Sequence, residues 1–388
     1  MRERFAAFAW SVLGLNILVV IWGAFVRASK SGAGCGESWP LCNGELLPKA
    51  PALPTIIEFT HRVTSGLALL VLIALVVWAF RLFPKGHIVR RVSAWSAAFM
   101  VVECLIGAAL VLLGHVAENP ALARGYTLSV HLVNTMFLLG SLALTAWWAG
   151  RDEGALGPAR PVQKPLFGVA VALLLVAMVV GAIAALGDTL YTATTHAEGL
   201  RANFAQDSHP FVRMRILHPI LAAAAGVCLF GLGLRAALAT TETFLVRVLG
   251  AAVAGLTIVQ ILLGALNIVL LVPIYMQLIH LFFADLVWLA LVLFAAESMW
   301  PQAARVPAGM KIAWGVMLCL TGITGIIMPI MPGWIFLIPG LLILSEYVPA
   351  LKRLVEWLRE KMPKHIAWQK RPEAWEVPPE PHDPAARP

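Results

Sequence analysis

Polar residues come in short clusters along this chain, and long apolar stretches run between them. Eight such stretches cover residues 5–26, 64–80, 94–113, 126–148, 166–186, 216–234, 244–271 and 276–296. About 20 helical residues cross the hydrocarbon of a bilayer, so each stretch predicts a membrane-spanning helix. The first is longer than the core of a secretory signal and no clear small-residue cleavage site follows it, which predicts a retained helix. Two more apolar segments follow, 312–331 and 334–344. The second is short for a span; it reads either as one arm of an apolar hairpin or as a short span completed by residues 347–351. Residues 348–361 set Leu351, Val355 and Leu358 among Lys and Arg, which predicts an amphipathic helix on the membrane surface.

Composition agrees with this pattern. The chain is 60% hydrophobic and 13% charged, far too apolar for a soluble globular domain. Charge orients it. With the N-terminus in the cytoplasm, the inner segments hold 21 of the 29 Lys and Arg, and the outer segments hold 8, as the positive-inside tendency requires. The net charge of +8 is then explained by cytoplasmic anchoring against anionic lipid. No nucleic-acid partner is implied.

The first four predicted helices repeat in the next four. Gly23-Ala24 aligns with Gly181-Ala182, Gly107-Ala108 with Gly264-Ala265, His61 with His218, and His131 with His280. Four helices per repeat leave both halves in the same orientation, a parallel repeat about an axis near the membrane normal. The expected fold is an all-α polytopic membrane protein: two parallel-repeated four-helix transmembrane bundles, 1–150 and 151–304, a C-terminal module of apolar hairpin and amphipathic helix, 305–365, and a disordered tail, 366–388.

Candidate chemistry gathers at one depth. His61, His131, His218 and His280 fall near the outer ends of helices 2, 4, 6 and 8, a pair in each half. Ionisable residues at membrane depth are costly and usually functional. Two facing histidines in a roomy bundle suit the axial positions of a haem iron, whereas zinc or a di-iron centre calls for more thiolates or carboxylates. Haem propionates want arginine at the polar rim; Arg27, Arg62, Arg213 and Arg215 are the candidates, with plain interfacial charge as the other reading of each.

The halves also differ. Glu58 lies one helical turn before His61, where the second half has Arg215, and the first half alone carries Cys35 and Cys42 in a short loop. On the outer side such thiols oxidise, as a staple or as a redox pair. Glu58 reads as a catalytic carboxylate, with a salt bridge to Arg62 as the competing role. Glu103, aligned with Gln260, reads as a packing residue, as do Cys104, Cys228 and Cys319 in their spans. His115, His196 and His209 read as loop residues.

The stretches WGAFVRASKSGAGCGESWPLCNGELLP, EFTHRVTSG, SVHLVN, RILHPILA and LIHLFFADLVW resemble the haem A synthase family, over about residues 5–298. The resemblance implies oxidation of the C8 methyl of haem O to a formyl group, giving haem A for terminal oxidases. It implies His61 and His131 as axial ligands of the substrate haem, His218 and His280 as ligands of a permanent haem b that relays electrons, and Glu58 as the catalytic glutamate. It further implies a bacterial inner-membrane location, with haem O synthase and oxidase assembly factors as partners; a homo-oligomer stays open. IMPIMPGWIFLIPGLLILSEYVPALKRLVEWLREK resembles a small membrane family named for its PGPGW motif, here degraded to Met331-Pro332-Gly333-Trp334. The alternative for the whole chain is a di-haem cytochrome b that only carries electrons. A transporter built on the same repeat is weaker, because the polar residues cluster at one end rather than at broken helices in the membrane centre.

Overall fold

The computed structural model of the chain describes residues 1–151, 164–239, 242–300, 315, 316, 319 and 334–361. The chain divides into two compact units, Met1–Arg305 and Val306–Pro388. The first unit runs α1 (Arg2–Ala28), α2 (Leu53–Leu82), α3 (Ile88–Leu112), α4 (Leu122–Ala149), α5 (Lys164–Leu190), α6 (His196–Phe204), α7 (Pro210–Arg213), a 3₁₀ turn (Met214–Ile216), α8 (Leu217–Leu238), α9 (Phe244–Val269) and α10 (Ile274–Met299). Among the described residues the extended backbone pairs only in one isolated bridge, Cys42 with Glu45.

Among the described residues eight helices are long and apolar enough to cross a membrane, the sixth counted from Pro210 through Leu238. The chain is a multi-pass membrane protein. In the first bundle α1 packs on α2 and α4, and α3 on α4; in the second α5 packs on α8, α8 on α9 and α9 on α10. Helices α4 and α10, with α1 and α5, form the seam between the bundles. Buried Leu72, Met136, Leu139, Leu142, Leu291 and Phe294 fill the interior, while Leu18, Leu70 and Val227 stand exposed on the outside, where only lipid would suit them.

Polar contacts sew the seam at several depths. The Trp288 indole donates to the Met136 carbonyl at 2.7 Å. Arg27 donates to Ala185 O and Thr189 Oγ1, each at 2.8 Å, and to Gln277 Oε1 at 3.1 Å. At the opposite end Arg151 pairs with the buried Glu297. Between α8 and α9 two glycines permit close approach: a Cβ on Gly233 would meet the Gly250 carbonyl oxygen at 2.5 Å, the small-residue packing that membrane helices favour.

Two elements depart from the hydropathy pattern. Helix α2 begins at Leu53, well before the apolar run at 64–80, with proline in its first turn, where a missing N–H is harmless. The apolar run does not register these first turns, whose Thr55, Glu58 and Arg62 bond to the Cys35–Cys42 loop and its flank rather than facing lipid. The segment expected as one long loop before His218 holds α6, α7 and the 3₁₀ turn. A readable signal was present: the Thr195 hydroxyl accepts from Glu198 N, and the Glu198 carboxylate accepts from Thr194 N, a variant of the capping box.

The second unit shows α11 (Trp334–Leu344) and α12 (Pro349–Lys361) joined by a tight turn. Leu354 and Trp357 of α12 are exposed. Most of the 312–331 run, the Met331-Pro332-Gly333 part of the motif, the linker at 152–163 and the tail lie outside the described residues.

Candidate functional site

The four histidines sit at one depth, as helix geometry dictates. His61 is the ninth residue of its span, His131 the tenth, His218 the ninth and His280 the seventh, counted from the same end of the bundle. The rings of His218 and His280 meet edge to face, with centroids 6.3 Å apart and planes at 87°. His61 and His131 lie within electrostatic reach of each other. Ring nitrogens of His61, His131 and His280 are buried without a hydrogen-bond partner among the described residues. His218 Nδ1 contacts the Ala177 carbonyl at 3.0 Å.

Glycines make room for three of these rings. A Cβ on Gly23 would stand 2.9 Å from His61 Cε1, one on Gly181 2.6 Å from His218 Cε1, and one on Gly264 3.1 Å from His280 Cε1. The Gly-Ala pairs that mark the repeat in sequence are therefore where α1, α5 and α9 let the Cε1 tip of a histidine ring come close to the backbone. Gly107 is the exception, with nothing within 4 Å; on α3 it is Glu103 that reaches His131 instead.

The first half carries a carboxylate latch. Cys35 and Cys42 form a disulfide, and both are fully buried. Glu58 Oε2 accepts from Cys35 N at 2.8 Å. Glu58 Oε1 accepts from Arg62 Nη2 at 2.6 Å and Nε at 3.1 Å. Arg62 Nη1 also donates to the Ser38 and Leu41 carbonyls, each at 2.6 Å. The Glu58 side chain is 5% exposed and that of Arg62 12%. The loop docks closely: a Cβ on Gly34 would fall 2.4 Å from the Pro54 carbonyl carbon, and Thr55 Oγ1 donates to Gly34 O at 2.7 Å. The Trp22 indole donates to Ile57 O at 3.0 Å, holding α1 against this turn. The salt bridge that competed with a catalytic reading of Glu58 thus exists, and it fixes the carboxylate one turn from His61.

The arginines proposed for propionates differ in their setting. Arg27 is committed to the seam. Arg62 is committed to the latch. Arg215 pairs with Asp188 Oδ1 at 2.8 Å and donates to the Gly187 and Tyr191 carbonyls. Arg213 is exposed.

Two residues gain weight that sequence reading did not give them. Glu103, expected as packing, lies beside His131. Asp285, inside the LIHLFFADLVW stretch, is wholly buried and neither of its oxygens has a hydrogen-bond partner among the described residues. The loop histidines have structural work. His209 caps α7 and stacks on Tyr191. His115 meets Thr127. His196 reaches the end of α9.

Comparison with known proteins places this arrangement. Residues 6–292 match the COX15-CtaA family, described as cytochrome oxidase assembly protein. The chain belongs to that family. Among individual family relatives, a Thermus thermophilus protein named protoheme IX farnesyltransferase is 44% identical over 314 residues, 79% of this chain and 50% of the relative. A heme A synthase of Halalkalibacterium halodurans is 36% identical over 127 residues, 33% of this chain and 42% of the relative. One from an Exiguobacterium species is 40% identical over 113 residues, 29% and 37%. The chain spans about half the length, or less, of these curated relatives.

Proposed function

We propose that this chain oxidises the C8 methyl of haem O to the formyl group of haem A. His61 and His131 hold the substrate in the first half, and His218 and His280 hold a haem b in the second. The location is a bacterial inner membrane, with the N-terminus cytoplasmic and the Cys35–Cys42 loop outside, as the Lys and Arg distribution favours.

The histidines suit haem. His218 and His280, with ring centroids 6.3 Å apart, would hold the haem iron. The Nδ1 atoms of His61 and His280, buried without a partner among the described residues, are what an iron would satisfy. Among the described residues no group of three or more His, Cys, Asp or Glu is placed to hold a metal ion, and the histidines come in pairs. When bound, haem iron supplies the redox chemistry, and the protein supplies position and charge.

The observation that carries the enzyme reading is the latch. A pure electron carrier needs four histidines and nothing more. Here the first half sets a buried carboxylate one turn before its histidine, fixed by Arg62 and by the backbone of a disulfide loop, where the second half has Arg215. Glu58 is the group that accepts a proton at a carboxylate oxygen next to the substrate. Arg62 and the Cys35 amide hold it to one rotamer, and the loop covers it from bulk water.

The farnesyl transfer named for the Thermus relatives is assigned elsewhere. Transfer from a prenyl diphosphate calls on clustered carboxylates for magnesium, which the described residues lack, and this chain spans only half of those proteins. A partner that makes haem O, and oxidase assembly factors that take haem A, complete the reading.

The test of the half assignment uses the glycine cradle. Gly181→Leu drives a side chain into the His218 ring. It is expected to halve the haem content per chain in detergent, with haem O still bound. Loss of both haems, or of neither, would contradict the assignment of His218 to a separate site.

A further inference from the structure

The aligned positions Glu103 and Gln260 each lie beside a histidine, but on different ring nitrogens and with different chemistry. In the first half, Glu103 Oε1 on α3 lies 3.5 Å from His131 Nδ1 on α4. Asn134 Nδ2 donates to Glu103 Oε2 at 2.6 Å, and Thr135 Oγ1 donates to Glu103 Oε1. These donors come three and four residues after His131, on the same face of α4. The helix that carries the histidine therefore also carries the groups that hold a carboxylate against it. In the second half the aligned residue is Gln260, whose amide Nε2, a donor, stands 3.3 Å from the other ring nitrogen, His280 Nε2, so no carboxylate lies against this histidine. The positions matching Asn134 and Thr135 are Phe283 and Ala284, which donate nothing.

A metal-bound imidazole is tuned by what accepts its other N–H. A carboxylate close to that N–H draws its proton by charge and makes the ring a stronger donor to iron; the amide nitrogen of a glutamine donates and exerts no such pull. Stronger donation favours the ferric over the ferrous state, and hydrogen bonding beyond the ligands is one of the protein's levers on haem potential. Resting on the haem reading above, we propose that Glu103 is a positioning residue that, through His131, lowers the reduction potential of iron held in the first half relative to the second. Electrons released in the first half then run downhill across the seam to the His218–His280 site. Asn134 and Thr135 keep the carboxylate in place for this.

The experiment is a spectroelectrochemical titration of the full chain holding both haems, in detergent. Each wave is assigned by its loss in His131→Ala or His280→Ala. Glu103→Gln gives the first half the chemistry of the second. It is expected to raise the first-half potential by about 59 mV, a tenfold shift of a one-electron equilibrium, with the second wave unmoved. The reciprocal Gln260→Glu is expected to lower the second-half potential by a similar amount. A first-half wave that shifts less than twofold in Glu103→Gln, with both haems bound, overturns the inference and leaves the haem reading intact. If Glu103→Gln loses its haem, Gln260→Glu decides, and no downward shift overturns the inference. A wild-type chain that binds no haem overturns the reading of the site and this inference with it.

Discussion

Glu58→Gln is expected to reduce haem A formation by about 10²- to 10⁴-fold, the usual range for loss of a positioned proton acceptor, while both haems stay bound. The substitution is nearly isosteric. Its carbonyl oxygen can still accept from Arg62, so the cost falls on the contact with Cys35 N and on proton transfer. Haem content by the reduced pyridine spectrum and product by chromatography and mass separate the two effects. Activity within a few-fold of wild type, with haem retained, would make Glu58 a latch for the loop and nothing else.

The second large effect belongs to Arg62. Its guanidinium meets Glu58 Oε1 and the carbonyls of Ser38 and Leu41. Arg62→Ala leaves a buried carboxylate and two carbonyls without their donor. Breaking a buried pair by removing one partner costs about 3–5 kcal/mol, here concentrated in the Cys35–Cys42 loop. Thermal unfolding in detergent should begin earlier, and trypsin should cut at Lys49 much faster than in wild type. Arg62→Lys is expected to restore little of this, because one ammonium cannot reproduce the planar fork that spans three acceptors. Wild-type unfolding and proteolysis in Arg62→Ala would refute the latch.

The architecture was legible because hydropathy and repeat spacing report on burial against lipid. All eight spans, the pairing of Gly23 with Gly181 and of Gly107 with Gly264, and the common depth of the histidines come from such patterns. What sequence could not show is which polar groups meet across helices. Glu58 and Arg62 are four apart on one helix, so their pairing could be weighed in advance. Glu103 and His131 are 28 residues apart on neighbouring helices, and Glu103 alone reads as an ordinary packed carboxyl; Asn134 and Thr135 reveal its purpose only once α3 lies against α4. Arg27 reads as a rim charge at the end of α1, yet its acceptors lie on α5 and α10 in the other half. The Gly-Ala pairs are visible as repeat markers, but the physical cause of three of them, the close approach of a histidine ring to the backbone, needs three dimensions. Asp285 sits in an apolar run with no spacing to mark it.

One measurement bears most directly on the claim that this chain converts haem O to haem A. The protein is purified in detergent from cells with and without a haem O synthase, its haem extracted, separated by chromatography and identified by mass and reduced pyridine spectrum. The account predicts haem A, or its alcohol precursor, only where haem O is supplied, together with haem b in both preparations. Haem b alone under both conditions, filling both halves, would contradict it and make the chain an electron-transfer cytochrome.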